Sequence, residues 1–312
     1  MADTKILLLC NNKIAIPALR ELLFFKQVAA VIIPAKNKEL HTDLTELMNG
    51  YSVPLLTVDR SNFKKIIHKE IEKNNVQSVL LMTFPYLIPK DLLTVPPKGF
   101  INFHYGRLPE YRGPEPIFNQ VMLQEKSPAL TVHVVTEGID DGPVILQEAV
   151  QYNPEDTYGN LQFKLGEAGA KLVRLLLKII SFGSILPSIP QDESKSAYHK
   201  KPSASDLIIN WQTMDSAAIR ALANACNPWN KGCGAFINGR VIGITEVEIL
   251  DNDNITETYL PGTIINLVAE NGLRVSTCDN KMIRINIIFT EEGIMSGKRL
   301  IVSDIKQGSR FT

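Results

Sequence analysis

Ile6-Leu-Leu-Leu-Cys-Asn-Asn-Lys-Ile-Ala-Ile-Pro-Ala-Leu-Arg-Glu-Leu-Leu23 decides the fold of this 312-residue chain. Residues 6–9 are four consecutive apolar side chains and read as a short buried strand. Polar Asn11, Asn12 and Lys13 follow. From Pro17 the apolar spacing becomes helical, with proline at a first-turn position where its missing N–H is no loss. A buried strand feeding a helix is the first half of a β-α-β unit, and the same alternation continues outward. An apolar strand over 28–33 is closed by Pro34, 40–48 is helical and 53–58 is extended. An amphipathic helix spans 62–74, with Phe63, Ile66, Ile67 and Ile71 on one face. Another buried strand covers 79–82. Strands alternating with helices at this pace predict an α/β domain on a parallel, doubly wound sheet. Further strands are expected over 100–103, 131–135 and 144–148, with helices over 114–123 and 158–180.

Beyond the long helix the composition shifts. Residues 183–205 hold Pro187, Pro190 and Pro202 among serines and lysines, the make-up of an extended surface linker. A helix over 216–226 is followed by short strands. Asn238-Gly239 between two apolar runs is a hairpin turn, since both residues accept positive φ. Strands over 263–268, 273–277 and 282–288, separated by Asn271-Gly272 and Asp279-Asn280, complete a small antiparallel barrel or meander. The domain division is 1–186, a linker over 187–205, and 206–312.

Basic and acidic residues balance at 33 each. Bulk charge therefore does not draw the chain toward nucleic acid or an anionic membrane. No window approaches the roughly 18 uninterrupted apolar residues of a membrane span. The N-terminal apolar run is too short for a secretory leader. Cys10, Cys226, Cys233 and Cys278 form no CxxC pair and read as free thiols. These features place the chain in the cytoplasm.

The densest chemical signal is Ile101-Asn-Phe-His-Tyr-Gly-Arg-Leu-Pro-Glu-Tyr-Arg-Gly113. Strand alternation puts Asn102 and His104 on one face. The loop after them lies beyond a strand's carboxyl end, where open parallel sheets bind ligands. Glu137-Gly-Ile-Asp-Asp-Gly142 follows about 30 residues later, a glycine-flanked turn that can bring a carboxylate to a neighbouring strand end. Asn102 and His104 N–H groups could stabilise an oxyanion, and Asp140 could take the proton an attacking amine must lose. No serine or cysteine nucleophile is evident, so direct acyl transfer is the simpler scheme. Taken alone, Asn-x-His near a strand end and an Asp-Asp-Gly turn are more often structural.

The wider pattern is more specific. Asn102-Phe-His104, Leu108-Pro109, Tyr111-Arg112-Gly113 and Pro116 resemble the signature N-x-H-x-S-L-L-P-x-Y-R-G-x-x-P of the folate-dependent formyltransferases, and Gly138-Ile-Asp140-Asp-Gly142 resembles their G-x-D-T-G. Segments around Tyr198, Trp211, Asn227-Pro-Trp229 and Pro261-Gly-Thr-Ile264 resemble the C-terminal domain of the methionyl-tRNA formyltransferase group, so the resemblance covers nearly the whole chain. It implies a Rossmann-like catalytic domain, an OB-like C-terminal β-barrel domain, 10-formyltetrahydrofolate as donor and no metal. It implies Asn102, His104 and Asp140 as the catalytic trio. It places folate against Phe84, Pro85, Tyr86, Leu87 and Ile88 and against Thr136, Glu137, Gly138 and Ile139, largely through backbone groups. Arg107 and Arg112 become candidate substrate contacts, with bracing of the loop as the alternative for Arg112. The sequence departs from the pattern at Gly106 (family serine), Arg107 (family leucine), Asp141 (family threonine) and the block from Cys10 to Lys13. Asp141 adds charge beside Asp140.

The tRNA-acting members carry a basic insertion after the second strand, whereas residues 33–54 here are short and of mixed charge. From Ser203 onward there are 10 basic and 12 acidic residues, leaving 23 and 21 before it. Binding a tRNA backbone calls for a basic face. The expected acceptor is therefore a small or carrier-bound primary amine, such as an amino sugar nucleotide or an aminoacyl group on a carrier protein. Methionyl-tRNA is the alternative acceptor. A formyl-folate hydrolase and a non-catalytic folate-binding protein are the alternatives outside amine transfer.

Overall fold

The structure is a computed structural model that describes residues 5–182, 185–250, 259–266, 272–302 and 305–312. The chain forms two compact units. The first comprises Met1–Pro116, Ser127–Gln151 and Gln162–His199; the second comprises Ile117–Lys126, Tyr152–Leu161 and Lys200–Thr312.

Chain order opens with β1 (Ile6–Cys10), α1 (Ile16–Phe24), β2 (Val28–Pro34), α2 (Lys38–Leu47), β3 (Leu55–Val58), α3 (Phe63–Lys73) and β4 (Ser78–Met82). It continues with α4 (Lys90–Leu93), β5 (Phe100–His104), α5 (Pro116–Met122), β6 (Ala129–Val134), β7 (Val144–Ala149) and α6 (Tyr158–Phe182). Local chemistry sets the helix starts. Asn37 caps α2 by accepting the Leu40 N–H at 3.1 Å, and Pro17 sits in the first turn of α1.

These strands form one sheet in the order β3-β2-β1-β4-β5-β6-β7. The first five are parallel, with a core that includes Leu7, Leu9, Ile32, Ile67, Val79 and Phe100. Burying each such side chain contributes about 1.5–3 kcal/mol. The parallel part of the sheet ends there: β6 runs antiparallel to β5, and β7 antiparallel to β6. The short turn between β6 and β7 permits only a reversal, because a parallel crossover needs a dozen or more residues. β7 is half-exposed along its length, as an edge strand covered on one face should be. Strand order reverses between β1 and β4, the switch point at which open α/β sheets form their ligand crevice. β5 lies next to β4, so His104 at its last position faces that crevice's edge.

In the second unit, α7 (Ser216–Cys226) starts at Asp215, whose side chain accepts the Ala218 N–H at 2.7 Å. The strands are β8 (Cys233–Ile237), β9 (Arg240–Leu250), β10 (Ile264–Asn266), β11 (Leu273–Ser276), β12 (Met282–Thr290) and β13 (Gly293–Ser296). They pair antiparallel in the order β10-β11-β12-β9-β8, with β13 on β12, as an OB-like half-barrel. The β8–β9 turn has Asn238 at φ 48° and Gly239 at φ 74°, the two positive angles of a type I′ hairpin. Trp211 is buried and stacks on Phe311 with centroids 5.1 Å apart. The end of the strand expected over 263–268, and Asn271, lie outside the described residues.

The segment expected as a linker is differently used. Its first part, up to His199, belongs to the first unit. Ile189 and Val144 exchange both backbone hydrogen bonds, at 2.9 and 2.8 Å. A proline-rich composition signals extended backbone, and extended backbone can pair as readily as it can stay solvated. No helix among the described residues is long and apolar enough to cross a membrane.

Candidate active site

β5 and β6 pair so that Asn102 stands opposite His133 and His104 opposite Thr131. The turn after β6 carries Asp140 over the end of this strand pair. Its Oδ1 lies 3.3 Å from Asn102 Nδ2, 3.5 Å from His104 Nδ1 and 3.6 Å from His133 Nε2. Its Oδ2 accepts the Gly113 N–H at 3.0 Å. Four groups from three segments therefore converge on one carboxylate. Asp140 adopts φ 54°, a left-handed backbone that aspartate tolerates better than most residues.

The ring tautomers follow from the carbonyls that anchor them. His104 Nε2 lies 2.7 Å from the Tyr111 carbonyl. A carbonyl only accepts, so Nε2 carries a proton and Nδ1 is the titrating nitrogen, facing Asp140. His133 Nδ1 likewise donates to the Val134 carbonyl at 2.9 Å, which leaves its Nε2 to accept from Asn102 at 3.1 Å. The expectation that a His104 N–H is free for an oxyanion thus changes: one N–H is spent on Tyr111, and the other nitrogen forms a pair with Asp140.

Burial opposes charge on both partners of that pair. For Asp140 the burial penalty is outweighed by the His104 ring, by the facing His133 ring and by the Gly113 hydrogen bond, which together hold the carboxyl at about 2. For His104 burial wins over the pull of Asp140, His133 pushes the same way, and the ring titrates below its usual range. Asp140 is ionised, because the Gly113 and Asn102 donors favour the anion whatever the ring's charge, and His104 beside it is neutral at neutral pH.

Asp141 points elsewhere. It is exposed and accepts a hydrogen bond from the Thr136 hydroxyl. Cys10, at the end of β1, is buried, and burial pushes its thiol up to about 12, so it is no nucleophile at neutral pH.

The other expected site residues fall into two groups. Phe84 and Tyr86 are half-buried and cluster with Phe63 of α3, with Phe63–Tyr86 centroids 5.1 Å apart. Pro85 lies between them, Leu87 projects into solvent, and Ile88 belongs to the core. Among the described residues, the backbone groups of residues 84–88 make no hydrogen bond to protein. Thr136, Glu137, Gly138 and Ile139 form the outer turn, and Glu137 pairs with Lys90 of α4 at 2.6 Å. The turn and the ledge are thereby tied together.

The arginines are occupied by protein. Arg107 Nε donates to the Ser127 carbonyl at 2.9 Å, and its Nη2 reaches both that carbonyl and the Ser127 hydroxyl. Arg112 forms a two-pronged bridge to Glu193, at 3.0 and 2.7 Å, and also donates to Gln191. Both geometries brace the loop. Thr131 and Gln147 brace it from the sheet side, with Thr131 donating to the Gly106 carbonyl at 2.7 Å and Gln147 donating to the Leu108 carbonyl at 2.9 Å. Gly106 has no room for a side chain: a Cβ there would lie 2.6 Å from Pro116 Cβ and 2.9 Å from His104 Nε2.

Sequence reasoning missed His133 and Gln191. His133 had a signal, a polar ring two residues after Thr131 on a strand neighbouring Asn102. Gln191 had none, because it lay in a stretch read as solvated linker.

A polar cluster at a strand's carboxyl end, beside a switch point in an α/β sheet, stands where such sheets bind their ligands. The comparisons with known proteins make the class specific. The formyl transferase family profile matches residues 15–177. The methionyl-tRNA formyltransferase of Dictyoglomus thermophilum is 32% identical over 198 residues, 64% of this chain and 62% of that protein. That of Carboxydothermus hydrogenoformans is 34% identical over 216 residues, 69% of this chain and 68% of that protein. Among solved structures, an N-formyltransferase from Helicobacter canadensis, in complex with folinic acid and dTDP-3-aminofucose, superposes with a TM-score of 0.64 at 18% identity, covering 90% of this chain and 98% of that one. HypX from Aquifex aeolicus superposes with a TM-score of 0.68 at 14% identity, covering 98% of this chain and 49% of that one. At such identities the structural likeness speaks for the fold. The chain belongs to the formyl transferase family and is an N-formyltransferase enzyme.

Proposed function

We propose that the protein transfers a formyl group from 10-formyltetrahydrofolate to the primary amine of a small or carrier-bound acceptor. The observation that carries this is the convergence of Asn102, His104 and Asp140 at the end of β5, next to a ledge of unpaired backbone. Half-buried N–H and C=O groups without protein partners need water or a ligand. A flat pterin, with donors and acceptors along its edge, suits the ledge at residues 84–88, with Phe84 and Tyr86 offering apolar contact. No group of three or more His, Cys, Asp or Glu side chains among the described residues is arranged to hold a metal ion.

The donor supplies an electrophilic formyl carbon. As the acceptor nitrogen bonds to that carbon, negative charge grows on the carbonyl oxygen, and Asn102 Nδ2 donates to it by giving up one of its two bonds, to His133 or to Asp140. The amine must shed a proton. Neutral His104 accepts it at Nδ1, and the Asp140 carboxylate 3.5 Å away stabilises the cation so formed. Breaking the bond from the formyl carbon to the folate nitrogen returns a proton to that nitrogen and releases tetrahydrofolate and the formamide.

A small or carrier-bound acceptor is favoured by charge. Lys13, at the start of the crevice, is neutralised by Glu39 and Asp43 of α2 at 2.8 and 2.9 Å. The 29–34% identity to methionyl-tRNA formyltransferases favours a second reading, with methionyl-tRNA as acceptor. The test is a panel of an amino sugar nucleotide, an aminoacyl carrier protein and methionyl-tRNA, each with 10-formyltetrahydrofolate, followed by folate absorbance. Turnover on either of the first two supports the proposal. Turnover on methionyl-tRNA alone replaces the acceptor, and folate consumption without any amine replaces transfer with hydrolysis.

A further inference from the structure

Residues 189–199 run as a strap along the catalytic loop. Arg112 N–H donates to the Ala197 carbonyl, Ala197 N–H to Pro109 and His199 N–H to Arg112, at 3.0, 3.1 and 2.8 Å. The strap places one side chain, Gln191, between the two loops that build the site. Its Nε2 donates to the backbone carbonyls of Asp140 and Gly142, both at 2.8 Å. Its Oε1 accepts from Arg112 Nε and Nη2 at 3.1 and 2.9 Å. A primary amide offers two N–H donors and one carbonyl with two lone pairs, and all four positions are used here. Such an amide can neither flip nor shift without breaking bonds at both ends.

From this saturation we infer that Gln191 is a positioning residue for Asp140. It closes a ring: Gln191 grips Arg112, the next residue Gly113 donates to the Asp140 carboxylate, and Gln191 holds the Asp140 backbone from the other side. The turn needs such a hold. It is flanked by Gly138 and Gly142, and Asp140 sits at positive φ, where a side-chain-bearing residue is held by its surroundings rather than by preference. Glu193 completes the device by fixing the Arg112 guanidinium in a two-pronged bridge. The charged groups facing Asp140 are His104 of β5, His133 of β6 and Arg112 of the loop, with Asp141 beside it in the turn. Gln191 bears no charge, so it acts on Asp140 through distance alone.

The inference rests on the catalytic reading for its kinetic consequence but not for its structural one. The test uses the full chain with two variants. Gln191→Leu removes all four hydrogen bonds. Gln191→Met keeps the side-chain length, adds no charge and likewise removes both donations to the turn. Each is followed by the NMR titration of the His104 ring, which needs no substrate, and by kcat and KM with the acceptor found active. We expect the His104 midpoint to fall by about one pH unit in both variants, as Asp140 withdraws. We also expect kcat to fall ~10–100-fold while the donor KM changes less than about threefold, as supporting-residue losses do. A His104 midpoint equal to the parent's in a folded variant overturns the positioning role. If Gln191→Leu does not fold, Gln191→Met decides. A shifted midpoint in a protein that formylates no amine would instead leave the positioning role standing and remove the proposed function.

Discussion

Asp140→Asn isolates charge from shape. Asparagine keeps the side-chain outline and accepts the left-handed backbone at φ 54°, so the turn is spared the strain that alanine would add. What is lost is the anion 3.5 Å from His104 Nδ1. At an effective dielectric of about 20, a unit charge pair at that distance is worth roughly 5 kcal/mol, and each ~1.4 kcal/mol is tenfold in rate. Part of this is already present before the amine's proton arrives, as the hydrogen bonds from Gly113 and Asn102 show. The expected fall in kcat is therefore about a thousandfold, with the donor KM little changed. Folding is affected too. The Asp140 carboxyl is held at about 2, below the ordinary carboxylate range, so its ionised form stabilises the fold. That contribution is present at neutral pH and fades as pH falls from about 4 through the folded value. Stopped-flow folate absorbance gives kcat, and urea unfolding at pH 7 and pH 3 gives the stability difference between parent and variant. The gap should shrink at pH 3. A folded Asp140→Asn enzyme that retains kcat within fivefold would refute the charge-pair argument.

The kcat of the parent should rise with pH through a midpoint below 6.5, because His104 must be neutral to accept a proton and its burial lowers the ring. A kcat that falls as pH is raised from 6 to 8 would show His104 acting as a protonated donor instead. Gly106→Ser should damage rather than restore the site, because its Cβ would press on Pro116 and on the His104 ring. We expect a loss of ~1–3 kcal/mol in thermal or urea stability and a fall in kcat, typical of overpacking; an unchanged melting temperature with full activity would contradict the packing. His133→Phe keeps an aromatic ring but removes one of the two acceptors of Asn102 Nδ2, leaving Asp140. It should lower kcat ~10-fold or more with a small change in KM, and an equal rise in KM alone would mark His133 as a binding residue.

Much of this architecture was legible from residue patterns alone, and the exceptions have physical reasons. Continuous apolar runs such as 6–9 and 79–82 announce strands buried on both faces, and β1 and β4 are buried throughout. Asn102 and His104 were placed on one face by alternation, and both meet Asp140. The direction of β6 against β5 was not legible, because the 24 residues between them are long enough for either a crossover or a reversal. The one-turn helix α4 and the short strand β13 are too brief to show a period. Gln191 was hidden for a different reason. A glutamine among serines and prolines has the composition of a solvated segment, and only the partner strand at Val144 reveals that the backbone is paired.

The departures at Gly106 and Arg107 bear on whether the site is still catalytic. A chain that had drifted from an enzyme ancestor would lose family residues without regard to fit. Here each departure is matched by its surroundings. Gly106 faces Pro116 and His104 at distances that exclude a side chain, while its carbonyl accepts from Thr131 at 2.7 Å. Arg107 is anchored on Ser127 through both its Nε and its Nη2. The loop is thus held by a different set of contacts in a conformation that still delivers the Gly113 N–H to Asp140 and the Tyr111 carbonyl to His104. Each of those contacts fixes the charge or tautomer of Asp140 or His104 rather than adding to the core. A loop kept only for folding would have no need to aim two backbone groups at the same buried acid–base pair, so the altered residues are better explained as a rebuilt support for the same chemistry than as its decay.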